Sequence, residues 1–231
     1  MKQIKSLIFF ILLIFLFSCS FLDKEAQEAK DRLRQMGIEF SEQSFFFSVV
    51  QNQPEVVKLF LKAGMNPNAA EEDKTVLLEA CRRGYEEIGL ILIEAGSDVN
   101  AKDNYGVTCL MFSGITGSSE LIQKLIDQDA DINAKDNYGR TALIEALTTE
   151  NDLPLKTFQA LIDAGADVNV RIEGGLTPLM LAASGDDEIL RILINDGADV
   201  NARDDAGVTV LQRARNVPQN FEMFKKAGAK E

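Results

Sequence analysis

Two short stretches decide the architecture: Gly174-Gly175-Leu176-Thr177-Pro178-Leu179-Met180-Leu181-Ala182-Ala183, and after it Asp196-Gly197-Ala198-Asp199-Val200-Asn201-Ala202. In the first, Thr177 is placed to cap a helix, and Pro178 takes the first helical position, where its missing N–H costs nothing. The Leu and Ala that follow are apolar and small, fit for a gap between packed helices. In the second, a glycine suits the left-handed residue that ends a helix. Asp and Asn then start a turn by bonding the local backbone.

Working outward, the pattern recurs. Thr75, Thr108, Thr141, Thr177 and Thr209 are separated by 33, 33, 36 and 32 residues, and Leu77, Leu110, Leu143, Leu179 and Leu211 follow each by two. Asn68, Asn100, Asn133, Asn169 and Asn201 keep step. So do Gly64, Gly96, Gly165, Gly197 and Gly228, with Asp129 standing in once. Three markers in register at a period near 33 predict a stacked array of like units. Gly106, Gly139, Gly175 and Gly207 precede a Thr by two, where a tight hairpin needs positive φ.

These units resemble ankyrin repeats, over roughly residues 38–231. The resemblance implies an all-α ankyrin-repeat solenoid of about six helix-turn-helix units with short β-hairpin-like turns. The first unit is degenerate, at about 38–70. Four fuller ones start near 71, 104, 137 and 173, and a terminal one spans 205–231. The family usually places His three residues after the Thr, bonding between units. Here Leu78, Met111, Ile144, Met180 and Gln212 stand there, so that network must be absent or replaced by apolar contact. Extra residues around Glu150–Pro154 predict a longer loop between the helices of the fourth unit. No unit can bury its apolar faces alone, and end units need special treatment. The last carries polar Gln212, Arg213, Arg215, Gln219 and Asn220. The first carries Phe45, Phe46, Phe47, Val49 and Val50, which need a cover. A helix predicted over 23–36, capped by Asp23 and ended by Gly37, offers one through Leu22, Ala26, Ala29, Leu33 and Met36.

The N-terminus reads as an address. Lys2 and Lys5 precede 11 unbroken apolar residues, Leu7 to Phe17. A membrane-spanning helix needs about 20, so the run suits an export signal. Leu16-Phe17-Ser18-Cys19 resembles the lipobox of bacterial lipoproteins, which implies cleavage before Cys19 and lipidation of its thiol. An uncleaved anchor or an ordinary signal peptide is the alternative. The domain reading is thus signal peptide 1–18, lipid-anchored spacer helix 19–37 and repeat domain 38–231. Ser20 after the Cys, instead of Asp, implies the outer membrane of a bacterial cell envelope, facing the periplasm or the outside.

Composition narrows the chemistry. The 231 residues carry 24 Lys+Arg against 36 Asp+Glu, a net charge of -12, and no His. That balance opposes nucleic-acid binding, which needs a basic face. Without His there is no Ser-His-Asp or Cys-His catalysis and no His-ligated zinc. Asp98, Asn100 and Asp103, like Asp131, Asn133 and Asp136, partly imitate a calcium loop, but Lys102 and Lys135 occupy ligand positions and no bidentate Glu closes it. No two of the acids are singled out as a hydrolytic pair. No enzyme activity, metal or cofactor is expected. Cys81 and Cys109 are expected to stay as free, small core residues, although an exported protein permits a disulfide.

The resemblance implies a protein partner met by hairpin tips and the solvent side of each first helix. By position these give Arg82, Arg83, Tyr105, Val107, Phe112, Ile115, Tyr138, Arg140 and Leu176, with Glu145, Thr148 and Thr149 on the fourth unit's helix. Rigid tyrosine rings make good anchors, although Asn-Tyr-Gly is also a common ankyrin turn. The expected function is protein binding by a monomer tethered through Cys19. The alternative is a structural or protective envelope lipoprotein without a single tight partner.

Overall fold

The computed structural model describes residues 23–148 and 155–230. Cys19, the stretch 1–18 and the loop around Glu150–Pro154 lie outside the described residues. Within the described residues, a first helix, α1, covers residues 23–35 and turns at Gly37. Six helix pairs follow: α2 (Glu42–Val50) with α3 (Pro54–Lys62), α4 (Val76–Arg83) with α5 (Glu86–Glu94), α6 (Cys109–Thr116) with α7 (Ser119–Asp127), α8 (Ala142–Thr148) with α9 (Leu155–Asp163), α10 (Pro178–Leu181) with α11 (Asp187–Asn195), and α12 (Val210–Arg213) with α13 (Pro218–Lys226). The first helices pack in one row, α2 on α4, then α6, α8, α10 and α12. The second helices form a parallel row from α3 to α13. Short hairpins join the units. One is a two-stranded ladder, β1 (Ala70–Glu71) against β2 (Lys74–Thr75), and two more close through single bridges, Lys102 to Thr108 and Arg203 to Thr209.

Each first helix starts as its sequence dictates. The hydroxyls of Thr75, Thr108, Thr177 and Thr209 accept the N–H three residues on, at 3.2, 3.4, 3.4 and 3.3 Å. Thr141 is the exception: its buried hydroxyl has no hydrogen-bond partner. The hairpin glycines Gly106, Gly139, Gly175 and Gly207 all have positive φ, and so has Asp129 at the place of a helix-ending glycine. Leu78, Met111, Ile144 and Met180, where the family has His, are buried. Apolar contact therefore fills that position.

Hydrogen bonding between units runs instead along the turns. The Oδ1 atoms of Asn68, Asn100, Asn133 and Asn169 accept the backbone N–H of Asp98, Asp131, Asp167 and Asp199 in the next unit, at 2.7–2.8 Å. Asn201 accepts from Lys230 at 2.8 Å. The Nδ2 groups of Asn133 and Asn169 donate across the same gap to the carbonyls of Gly165 and Gly197, at 2.9 and 3.0 Å. The Asp side chains hold their own turns, Asp98 accepting from Asn100 N–H at 2.9 Å and Asp131 from Asn133 N–H at 3.1 Å. These oxygens are the ones a calcium loop would have used.

Two end features differ from expectation. Ala29 and Leu33 of α1 are buried with Phe45, Phe46 and Val49, so α1 does cover the first unit, but Met36 and Phe47 stay exposed. In the last unit Asn220 is buried, not solvated. Its Nδ2 donates to the carbonyls of Ala183 and Gly185 at 3.1 and 3.0 Å, tying α13 to the unit before. The cysteines correct the sequence reading outright: Cys81 and Cys109 form a disulfide, with Cα atoms 5.3 Å apart. Cys81 is a buried residue of the last turn of α4 and Cys109 is the first residue of α6, and the two meet across neighbouring helices. No described helix is long and apolar enough to cross a membrane.

Candidate functional site

Counting from each capping Thr, the fourth residue of successive first helices is Glu79, Phe112, Glu145, Leu181 and Arg213. The seventh is Arg82, Ile115 and Thr148; in the last two units the count falls beyond the shorter α10 and α12, on Ser184 and Asn216. Because the helices pack side by side, these positions form two adjacent columns along one face.

At one end of the columns, Glu79 is only 3 % exposed. Arg82 holds it with two bonds, Nε to Oε2 at 2.9 Å and Nη2 to Oε1 at 2.8 Å, and Arg83 donates to the same Oε1. Burial pushes the Glu79 carboxyl up, but hydrogen bonds from Arg82 and Arg83 outweigh it and leave the group below the usual carboxylate range. Two guanidiniums on one carboxylate leave one net positive charge at the surface. On α6 the neighbouring positions carry no charge at all: Phe112 is half-buried against the core and Ile115 is exposed. Gly114 lets α8 come close, since a Cβ there would lie 3.1 Å from the Ala142 carbonyl. On α8, Glu145 is buried, contrary to its expected solvent position. Burial raises its carboxyl above the usual range. Arg140, 2.9 Å away, pulls it back only in part, and the Asp136 charge adds to the rise. Thr148 is exposed, and Thr149 lies outside the described residues.

The hairpin tips stand beside these columns. Tyr105 and Tyr138 are 62 % and 55 % exposed. Their backbones are pinned: Tyr105 N–H donates to Asp103 Oδ1 and Tyr138 N–H to Asp136 Oδ1, both at 2.9 Å, while the Tyr105 carbonyl accepts Asn137 N–H at 2.8 Å. A fixed mount with an exposed ring loses little freedom on contact. Arg140 bonds Asp136 Oδ2 at 2.9 Å and lies 5.4 Å from the Tyr138 ring centre. Leu176 is half-buried at the tip of the fifth unit. Val107 does not belong to this surface. It is 9 % exposed, and its N–H and carbonyl both close the hairpin onto Asp103.

The structure thus gathers Arg82, Arg83, Phe112 and Ile115 on adjacent helices, with Tyr105, Tyr138 and Arg140 on adjacent tips. Sequence reasoning missed the acids beneath the arginines. Their signal was present: Glu79 sits three and four residues before Arg82 and Arg83, a spacing that pairs charges on a helix. Among the described residues no cluster of acids or cysteines is arranged to hold a metal ion.

Comparison with known proteins agrees with this geometry. The family profile described as "Ankyrin repeats (3 copies)" matches residues 20–103 and 96–172, and that described as "Ankyrin repeat" matches residues 174–205. A stretch of 79 residues is 35 % identical to the glycerophosphocholine phosphodiesterase gde1 of Schizosaccharomyces pombe (strain 972 / ATCC 24843), covering 33 % of this chain and 7 % of that protein. The chain therefore spans a small fraction of that relative's length.

Proposed function

Because the chain belongs to the ankyrin-repeat family, whose repeats point to protein–protein interaction, we propose that it is an exported, lipid-tethered, non-catalytic protein that binds a partner through its groove. The observation that carries this reading is the mixed surface just described. A cationic end at Arg82 and Arg83 adjoins an uncharged strip at Phe112 and Ile115, with two rigidly mounted tyrosines beside it. Apolar area flanked by charge and aromatic anchors is the composition of binding hot spots.

Export is supported by two features. Leu16-Phe17-Ser18-Cys19 has the lipobox pattern, and removal of residues 1–18 would take away Lys2 and Lys5 and no acid. The Cys81–Cys109 disulfide belongs in an oxidising compartment, which the bacterial cytoplasm is not. Tethering raises the effective concentration of the groove near the membrane.

The test is crosslinking and affinity capture from membranes with the full chain and with Arg82, Tyr105, Ile115 and Tyr138 changed to Ala. Loss of one crosslinked protein is expected. An unchanged catch would favour a structural envelope lipoprotein instead. For the tether, Cys19→Ala should release the protein from membranes or leave the precursor unprocessed, and unchanged lipid labelling would refute it.

A further inference from the structure

The end of the array nearest Cys19 differs from the rest in surface and in charge. Met36, Phe40 and Phe47 are among the few large apolar side chains exposed anywhere in the described residues, and all three lie in this one end. Met36 and Phe47 edge two shallow hollows that share Val56, the one beside Phe47 holding about 530 Å³. Phe40 stacks on Phe60 at 5.9 Å, and the Lys30 ammonium stands 4.9 Å above its ring. Arg32, Lys58 and Lys62 share the Met36 hollow with Glu55, to which Lys58 is paired at 2.7 Å. Charge follows the same division. Residues 23–69 carry six Lys+Arg against seven Asp+Glu, whereas residues 70–231 carry 16 against 29. The first unit is near neutral, and the rest of the array is strongly anionic.

We propose that Met36, Phe40 and Phe47 seat in the headgroup boundary of the membrane that holds Cys19. This rests on the lipid-tether reading. Only Ser20, Phe21 and Leu22 lie in the sequence between Cys19 and the first described residue of α1. The helix over 23–35 is about 20 Å long at 1.5 Å per residue. Cys19 and Met36 therefore reach one lipid surface together when α1 lies along it or slants back toward it. Phenylalanine and methionine gain by leaving water at the acyl boundary, and Lys and Arg stems keep their charges among anionic headgroups. The neutral first unit approaches an anionic surface without repulsion, while the acidic remainder is held away from it. The array is then oriented as well as anchored.

The chain has no Trp, so Phe47→Trp gives a single fluorescent reporter at an already exposed position. The full-length lipidated protein is reconstituted into phosphatidylethanolamine–phosphatidylglycerol vesicles with and without brominated acyl chains, beside a Tyr105→Trp control. Circular dichroism verifies that both variants are folded. The expected result is a blue shift and about twofold quenching for Phe47→Trp and none for Tyr105→Trp. Sedimentation with vesicles but no quenching of Phe47→Trp overturns the seating and leaves the tether intact. Failure to sediment refutes the tether, and the seating with it. A concentration-dependent blue shift without quenching means a second copy covers the face, which also overturns the proposal.

Discussion

Glu79 and Glu145 occupy equivalent positions in their units, yet their surroundings drive them in opposite directions. Glu79 is met by two guanidiniums and Glu145 by a share of one, since Arg140 also serves Asp136. A carboxyl held below its ordinary 4.5 binds protons less readily folded than unfolded. Its stabilisation is present above about pH 4.5 and is lost as pH falls through the lowered native value. Glu145 has the opposite sign: its contribution is most favourable below about pH 4.5 and is lost as pH rises through the raised native value. At pH 7, Glu79→Gln is therefore expected to cost about 2 kcal/mol, because charged hydrogen bonds are replaced by weaker ones. Glu145→Gln is expected to be neutral or stabilising at the same pH. Urea denaturation at pH 7 and pH 4 checks both, and a larger loss for Glu145→Gln at pH 7 would reverse the assignment. The arginines were legible in the sequence as surface residues. The buried state of the acids beneath them was not, because burial depends on which neighbouring helix covers the column.

At the scale of the element, the helix starts were readable because capping is local. A Thr followed by apolar residues carries its own instruction, and four of the five capping hydroxyls form the bond. The turns were read only halfway. Asp-Val-Asn was legible as a turn, since Asp bonds the N–H two residues on within one segment. Its second role depends on a partner about 30 residues away, and sequence proximity cannot display that. The asparagines do the bonding between units that histidine does elsewhere in the family. Asn133 makes both of its bonds to the fourth unit, to Asp167 N–H and to the Gly165 carbonyl. Asn133→Ala should cost about 1–2 kcal/mol, two net hydrogen bonds at a partly exposed site. Asn133→Asp keeps the acceptor and loses the donor, so it should fall between. Denaturation midpoints would check the order, and an Ala variant as stable as the wild type would show the ladder to be incidental.

Across the whole molecule, one apolar cluster runs unbroken from Ala29 to Phe224, assembled from contacts between neighbours in the stack. Such an array is as firm as its weakest interface, because each unit feels only those beside it. The Cys81–Cys109 bond crosses one of these interfaces, joining α4 to α6 over a sequence separation of 28. Both side chains are buried, so the bond is out of reach of reductant until the helices part. That favours a structural staple over a labile regulatory disulfide. Closing a loop of this size in the unfolded chain corresponds to about 3–4 kcal/mol in the chain-entropy account. Cys81→Ala with Cys109→Ala should lower stability by up to about that amount. Reductant added to the unfolded wild type before refolding should give the same midpoint. Single Cys→Ala variants should match the double variant rather than the wild type, since either change removes the whole crosslink. Equal midpoints for oxidised wild type and double variant would leave the staple without energetic effect.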